Sequence, residues 1–277
     1  MAPVAAPLWA VDSPRGGVGA AWGAVTGYGD AVAVAGAESR DEDALPTVGQ
    51  LLVDDASCTA AVVASSSGRL AVTAAHCVYV PAATERMPDV ADSRDPGWAD
   101  EVVFVPARSG DDAPHEVWAV ERMWVDRTWQ ANASPEVDVA FLELRDMPEG
   151  TAQQVLGALG MQFDDAGAGR QADGEGVAGP TVDVLGYPSV APFDGTRLRS
   201  CDQVPTDRGW AGLLEARCGL TPGASGGPWV VADRDWWSVV AVTSYLSWDR
   251  PGMLGGVRFG AVAERLWRAA DEAAGQQ

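Results

Sequence analysis

The stretch Gly223-Ala224-Ser225-Gly226-Gly227-Pro228 admits two readings, and the choice between them fixes the fold. Read as G-x-S-x-G, it is the nucleophile elbow of an α/β-hydrolase, a fold whose histidine comes after the serine. This chain has His76 and His115 and no histidine beyond them, so that reading fails. Read as a glycine-flanked serine, it is the last of three motifs. The first is Thr73-Ala74-Ala75-His76-Cys77, which follows an apolar run. The second is Val137-Asp138-Val139-Ala140-Phe141-Leu142, an acid at the head of another. A serine hydroxyl is a weak nucleophile at neutral pH and needs an adjacent base. An ordinary imidazole, titrating near ~6.5, can take that proton, and a buried carboxylate then fixes its tautomer. Glycines around Ser225 let the amides of Gly223 and Ser225 turn toward one spot, where the oxyanion of a tetrahedral intermediate would sit.

Around these motifs the chain has the texture of an all-β protein. Short apolar runs separated by turn residues mark candidate strands at Val48–Val53, Thr59–Ala64, Leu70–Thr73, Glu101–Val105 and Glu116–Trp124. Further ones fall at Val137–Leu144, Val182–Gly186, Leu213–Arg217, Pro228–Val231 and Trp237–Ser244. The polar stretch Val80–Trp98 and the Gly-rich, acidic stretch Phe163–Pro180 read as surface loops. Phe259, Val262, Ala263, Leu266, Trp267 and Ala270 follow the i, i+3, i+4, i+7 rule of an amphipathic helix. Residues 1–46, rich in Ala, Gly and Pro and ending near Arg40-Asp41-Glu42-Asp43, read as an extension or pro-segment ahead of a domain spanning 47–277.

Composition removes other chemistries. The 277 residues carry 39 acidic and 19 basic side chains, a net charge of −20, which argues against nucleic acid or an anionic membrane as partner. There is no lysine, so a P-loop, a Schiff base and a Ser–Lys dyad are all excluded. Isoleucine is also absent and Asn132 is the sole asparagine, as high-GC bacterial codon usage would produce. No run approaches the ~20 apolar residues of a membrane span. Two histidines rule out a His-rich metal site, and the acids from Asp89 to Asp100 do not have EF-hand spacing; no metal or cofactor is expected. Cys58, Cys77, Cys201 and Cys218 form an even set without CxxC spacing, open to three pairings. Pairing implies an oxidising compartment, and hence a secreted protein whose export signal is absent from the given sequence.

The order His, Asp, Ser on a strand-rich chain is decisive between the remaining serine-nucleophile folds. A subtilisin-like order could use Asp54 or Asp55, but would leave the Asp138 motif unexplained. From about Val48 to Ala270 the sequence resembles the trypsin/chymotrypsin family of serine peptidases, most of all its secreted bacterial branch that includes glutamyl endopeptidases. The resemblance rests on Thr73–Cys77, on Asp138-Val139-Ala140-Phe141 and on Ser225-Gly226-Gly227-Pro228. It implies two six-stranded antiparallel barrels with a C-terminal α-helix, and a site in the crevice between the barrels. It implies His76, Asp138 and Ser225 as catalytic triad, the Gly223 and Ser225 amides as oxyanion hole, and Ser244 as support for the carboxylate. It also implies a Cys58–Cys77 bridge and a second bridge, Cys201–Cys218.

The activity so implied is endopeptidase action on protein or peptide substrates through an acyl-enzyme, by a monomer. The alternatives are a catalytically silent binding protein on the same fold, or an esterase. One departure stands out: Ala224 precedes the nucleophile where the animal digestive enzymes have an aspartate that pairs with a freed N-terminus. Alanine has no charge for that switch. For the specificity pocket the candidates are Thr243, Leu246, Gly256 and Arg258, with Gly219 and Arg250 nearby. Thr243 stands where glutamyl-specific relatives have a histidine.

Overall fold

The computed structural model describes residues 38–39, 45–82, 96–163, 180–207, 212–233, 236–247, 250 and 252–276. Almost all of the expected 1–46 extension, the interiors of the two expected loops and Asp89 lie outside them.

Six strands close the first barrel: β1 (Val48–Val53), β2 (Ala56–Val62), β3 (Leu70–Thr73), β4 (Val102–Pro106), β5 (Trp118–Val125) and β6 (Ala140–Leu144). Their order around the ring is β1-β2-β3-β6-β5-β4, every pair antiparallel. Successive side chains of a strand point to opposite faces, and in every strand but β5 both faces are largely buried. Leu51, Ala60, Val62, Ala71, Phe104 and Leu142 fill the barrel interior. Their neighbours Ala61, Leu70, Val72 and Phe141 turn outward into a second apolar cluster. That double burial explains why these strands read as nearly unbroken apolar runs. Each fully buried Val, Leu or Phe contributes about 1.5–3 kcal/mol.

The second half has six long strands: β7 (Val182–Gly186), β8 (Arg199–Gln203), β9 (Leu213–Arg217), β10 (Pro228–Asp233), β11 (Trp236–Leu246) and β12 (Met253–Arg258). They run in the order β8-β7-β10-β11-β12-β9, with short pairings at Glu38–Ser39, Gly160–Met161 and Thr206–Asp207. This is the expected chymotrypsin-like, mostly β architecture with one difference. Among the described residues the second sheet is curled rather than closed by hydrogen bonds. Its outer long strands, β8 and β9, are joined instead by the Cys201–Cys218 disulfide. Val230, Val239, Val242 and Val257 from this sheet meet the outward residues of the first barrel, so the two halves share one apolar interface.

The described chain also has four α-helical segments, α1 (Ala75–Val78), α2 (Arg127–Asn132), α3 (Ala152–Leu156) and α4 (Ala261–Ala274), a 3-10 turn at Pro135–Val137 and a separate pairing of Tyr79–Val80 with Gly97–Trp98. The expected terminal helix is α4, and Ala263 and Ala270 of its apolar stripe are buried. Polar latches fasten it to the first barrel. Asp271 accepts from Ser66 N (2.9 Å), Ser66 Oγ (2.6 Å) and Ser67 N (2.8 Å). Arg69 Nη1 and Arg122 Nη2 donate to the carbonyls of Ala274 (3.0 Å) and Ala273 (2.8 Å), the orphan acceptors of a helix end.

Candidate active site

His76 lies in α1, one turn of helix begun directly after β3, where Cys77 is held to Cys58 of β2 by a disulfide with Cα atoms 6.3 Å apart. Asp138 follows the 3-10 turn Pro135–Val137 and precedes β6, so the strand begins later than the expected Val137. Because β3 and β6 are paired, Thr73 opposite Ala140, the two motifs meet although 62 residues separate them. The Asp138 carboxylate is completely buried and His76 is 5 % exposed. Oδ1 accepts the His76 backbone N–H at 2.8 Å, and Oδ2 lies 2.7 Å from His76 Nδ1. Ser244 Oγ donates to the same Oδ2 at 2.5 Å. A buried carboxylate is costly unless its lone pairs are occupied, and these three bonds occupy three of its roughly four acceptor sites.

Ser225 is half-buried, at the head of the turn leading into β10. Gly226 has φ +77°, and a Cβ built there would fall 2.0 Å from Thr73 Oγ1 and 2.7 Å from Ala74 N. Only glycine permits that approach. The serine loop is thereby pressed against the chain two residues before His76. Upstream, Thr221-Pro222-Gly223-Ala224 forms a turn closed by Ala224 N–H to Thr221 O at 3.2 Å, with Gly223 at φ +101°. Proline at the second position and a positive-φ glycine at the third make this a type II turn. The amides of Ala224, Gly226 and Gly227 donate to Thr221, Thr243 and Ala224 carbonyls. Among the described residues, those of Gly223 and Ser225 have no protein acceptor.

The remaining candidates are placed as follows. Thr243 is buried on β11, and its Oγ1 accepts from Trp229 Nε1 at 3.0 Å. The Trp229 indole also fills the space beneath Gly256, where a Cβ would come within 2.8 Å of the ring. Leu246 ends β11 and is half-buried; Gly219 is buried beside Cys218. Arg258 reaches Asp207 at 3.6 Å and Arg250 reaches the buried Glu215 at 3.3 Å, so both guanidinium groups have carboxylate partners. Ala224 is buried against Gly186, where a Cβ would lie 2.8 Å from its own. Among the described residues, Cys58, His76 and Cys77 are the one group with ligand atoms within 4.8 Å of one another. Both sulfurs are committed to the disulfide, so this group is not a ligand set for a metal. No described helix is long and apolar enough to cross a membrane.

Sequence reasoning passed over two residues at this site. Thr59 and Ser189 bond to the carbonyls of Gly223 and Pro222 in the turn before Ser225, but a threonine in a strand and a serine in a loop carry no motif of their own.

Many solved structures share this fold. A thermostable serine protease, AL20, from an extremophilic microorganism is 26% identical, over 82% of this chain and 98% of that one, with TM-score 0.68. The protease Anisep from Arthrobacter nicotinovorans (22% identity, 85% and 99% coverage, TM-score 0.69) has the same fold. So does a Glu endopeptidase solved with MPD (15% identity, 86% and 97% coverage, TM-score 0.65). No curated protein matches by sequence. The family model for the trypsin-like peptidase domain, however, matches residues 58–242. That match runs through the histidine, aspartate and serine motifs and covers more than half of the sequence, so the chain belongs to the trypsin-like peptidase family.

Proposed function

We propose that this peptidase cleaves peptide bonds with Ser225 as nucleophile, His76 as general base and then acid, and Asp138 as the group that orients the imidazole. The observation that carries the reading is the fully buried Asp138 carboxylate, with one oxygen 2.7 Å from His76 Nδ1. Held there, Nδ1 keeps its proton and Nε2 is the basic nitrogen. Ser225 Oγ attacks the scissile carbonyl and passes its proton to Nε2. The tetrahedral oxyanion takes hydrogen bonds from the Gly223 and Ser225 amides. Collapse breaks the C–N bond, and the imidazolium gives its proton to the departing amine, leaving an acyl-enzyme. Water, deprotonated by His76, then releases the acid and restores Ser225. A preorganised amide is worth about 3–4 kcal/mol of transition-state stabilisation.

Substrates of a peptidase are proteins or peptides. We place its action outside the cell, on the ground that both disulfides need an oxidising compartment to form. The test is labelling by a fluorophosphonate probe, run beside turnover of a casein-type substrate. The parent protein should show both, and Ser225→Ala should lose both while keeping its thermal unfolding midpoint. Continued labelling of the variant, or labelling of the parent without peptide hydrolysis, would overturn the reading.

A further inference from the structure

A peptide group is planar and trans, so fixing a carbonyl fixes the direction of the N–H on the other side of the bond. In the turn before Ser225, each of three successive carbonyls is fixed. Pro222 O accepts Ser189 N–H at 2.7 Å and Ser189 Oγ–H at 3.2 Å, which sets the Gly223 amide on the opposite side. Ala224 O accepts Gly227 N–H at 2.9 Å, which sets the Ser225 amide. Between them, Gly223 O must point away from the other two N–H groups' target, and it accepts Thr59 Oγ1–H at 2.9 Å.

Thr59 is fully buried and has further bonds. Its Oγ1 accepts Tyr187 N–H at 2.9 Å, so the hydroxyl both gives and receives. Its backbone N–H donates to Ser225 O at 2.7 Å, and its carbonyl accepts Thr73 Oγ1–H at 2.8 Å. One residue of the first barrel thus binds the Tyr187–Ser189 segment, the Gly223 carbonyl of the turn, the Ser225 carbonyl just after it and the strand end that leads to His76. With Ala224 in place of an acid before Ser225, this hydroxyl clasp holds the turn without an ion pair at that position.

We infer that Thr59, assisted by Ser189, is a positioning residue for the oxyanion hole, and that it keeps the hole assembled with no charged switch. The inference rests on the proposed role of Ser225. Thr59→Val keeps the side-chain shape but leaves Gly223 O and Tyr187 N–H without their buried partner. The turn then loses the restraint that aims its amides.

The experiment first requires that the parent chain cleaves peptide substrate and that Ser225→Ala does not; failure there sinks the mechanism rather than this inference. On the active enzyme, Thr59→Val should lower kcat about 10- to 100-fold, in the direction of a lost oxyanion donor, with KM within about 2-fold. A peptide boronate, which forms a tetrahedral adduct, should weaken by the same factor. The same peptide without the boronate should bind as before, and Thr59→Ser should restore both losses. If Thr59→Val does not fold, Ser189→Ala serves, since it removes only the 3.2 Å bond; boronate affinity should then fall about 3-fold, with the plain peptide unaffected. Unchanged kcat and boronate affinity would overturn the inference. So would equal loss for both peptides, because that pattern marks general disorder of the cleft.

Discussion

Ser244 and His76 bond to the same oxygen of Asp138: Ser244 Oγ at 2.5 Å and His76 Nδ1 at 2.7 Å both reach Oδ2. The hydroxyl comes from the second half of the chain and the imidazole from the first, so the carboxylate is a point of registration between them.

Asp138→Asn should preserve the fold but present an N–H to His76 or force the other tautomer, and kcat should fall by about 10⁴ with KM little changed. Ser244→Ala removes one hydrogen bond to a charged acceptor and should cost about 10-fold in kcat. Steady-state kinetics of the variants check these outcomes, and a kcat for Asp138→Asn within about 10-fold of the parent's would contradict the role given to the carboxylate.

Gly226→Ala should be among the most damaging single-carbon additions to this chain. The new Cβ would lie 2.0 Å from Thr73 Oγ1 and 2.4 Å from Thr59 O, at φ +77°. Unlike a flexible side-chain end, the Thr59 carbonyl cannot move without disrupting the β2 pairing. Activity should drop by at least about 100-fold and unfolding should occur several degrees earlier, by roughly the 1–3 kcal/mol of an overpacked core. Circular dichroism melts alongside kinetics would show it.

Replacing Cys201 and Cys218 together by serine should destabilise the protein by about 3 kcal/mol, the chain-entropy value for a loop of this length. The loop is short, 17 residues of separation, but the bond also joins the two outer strands of the curled sheet. Urea unfolding of the double variant gives the number. An unchanged midpoint would mean that the sheet holds its curl without the bond.

Asp271 supplies a pH-dependent contribution to stability. Burial pushes its carboxyl pKa upward, but the bonds from the Ser66 hydroxyl and the Ser67 and Ser66 amides together outweigh that, and the net shift is below the usual carboxylate range. A depressed pKa means that the stabilisation is complete above the unfolded-state value and is lost as pH falls through the folded-state value. Asp271→Asn should therefore lower stability at neutral pH, by about 2 kcal/mol, and flatten the acid limb of the stability profile. Denaturant unfolding from pH 7 down to pH 3 separates the two slopes.

Most of the fold could be read because burial on both strand faces writes long apolar runs, as at β1, β3, β6 and β7. Two of the twelve long strands could not. β8, Arg199-Ser200-Cys201-Asp202-Gln203, is polar and shows no clean alternation. In β12, Gly255 and Gly256 look like turn residues, yet they are glycine because the Tyr245 and Trp229 rings lie directly over them. The three motifs could be picked out because the proposed chemistry demands a particular order and particular neighbours. Thr59 could not, because its role depends on four segments that only the folded chain brings together. Arg258 and Arg250, named in or near the candidate specificity pocket, illustrate the same limit: their partners, Asp207 and Glu215, are visible only in three dimensions.

The placement of α4 has a consequence for how the molecule responds to being cut. The helix follows the second sheet in sequence yet is bolted to the first barrel through Ser66, Ser67, Arg69 and Arg122. The first half is therefore finished by residues synthesised after the second. A single nick between the halves would leave two fragments still interlocked, each carrying part of the other's wall. Self-digestion at one such point would leave a clipped but undivided particle.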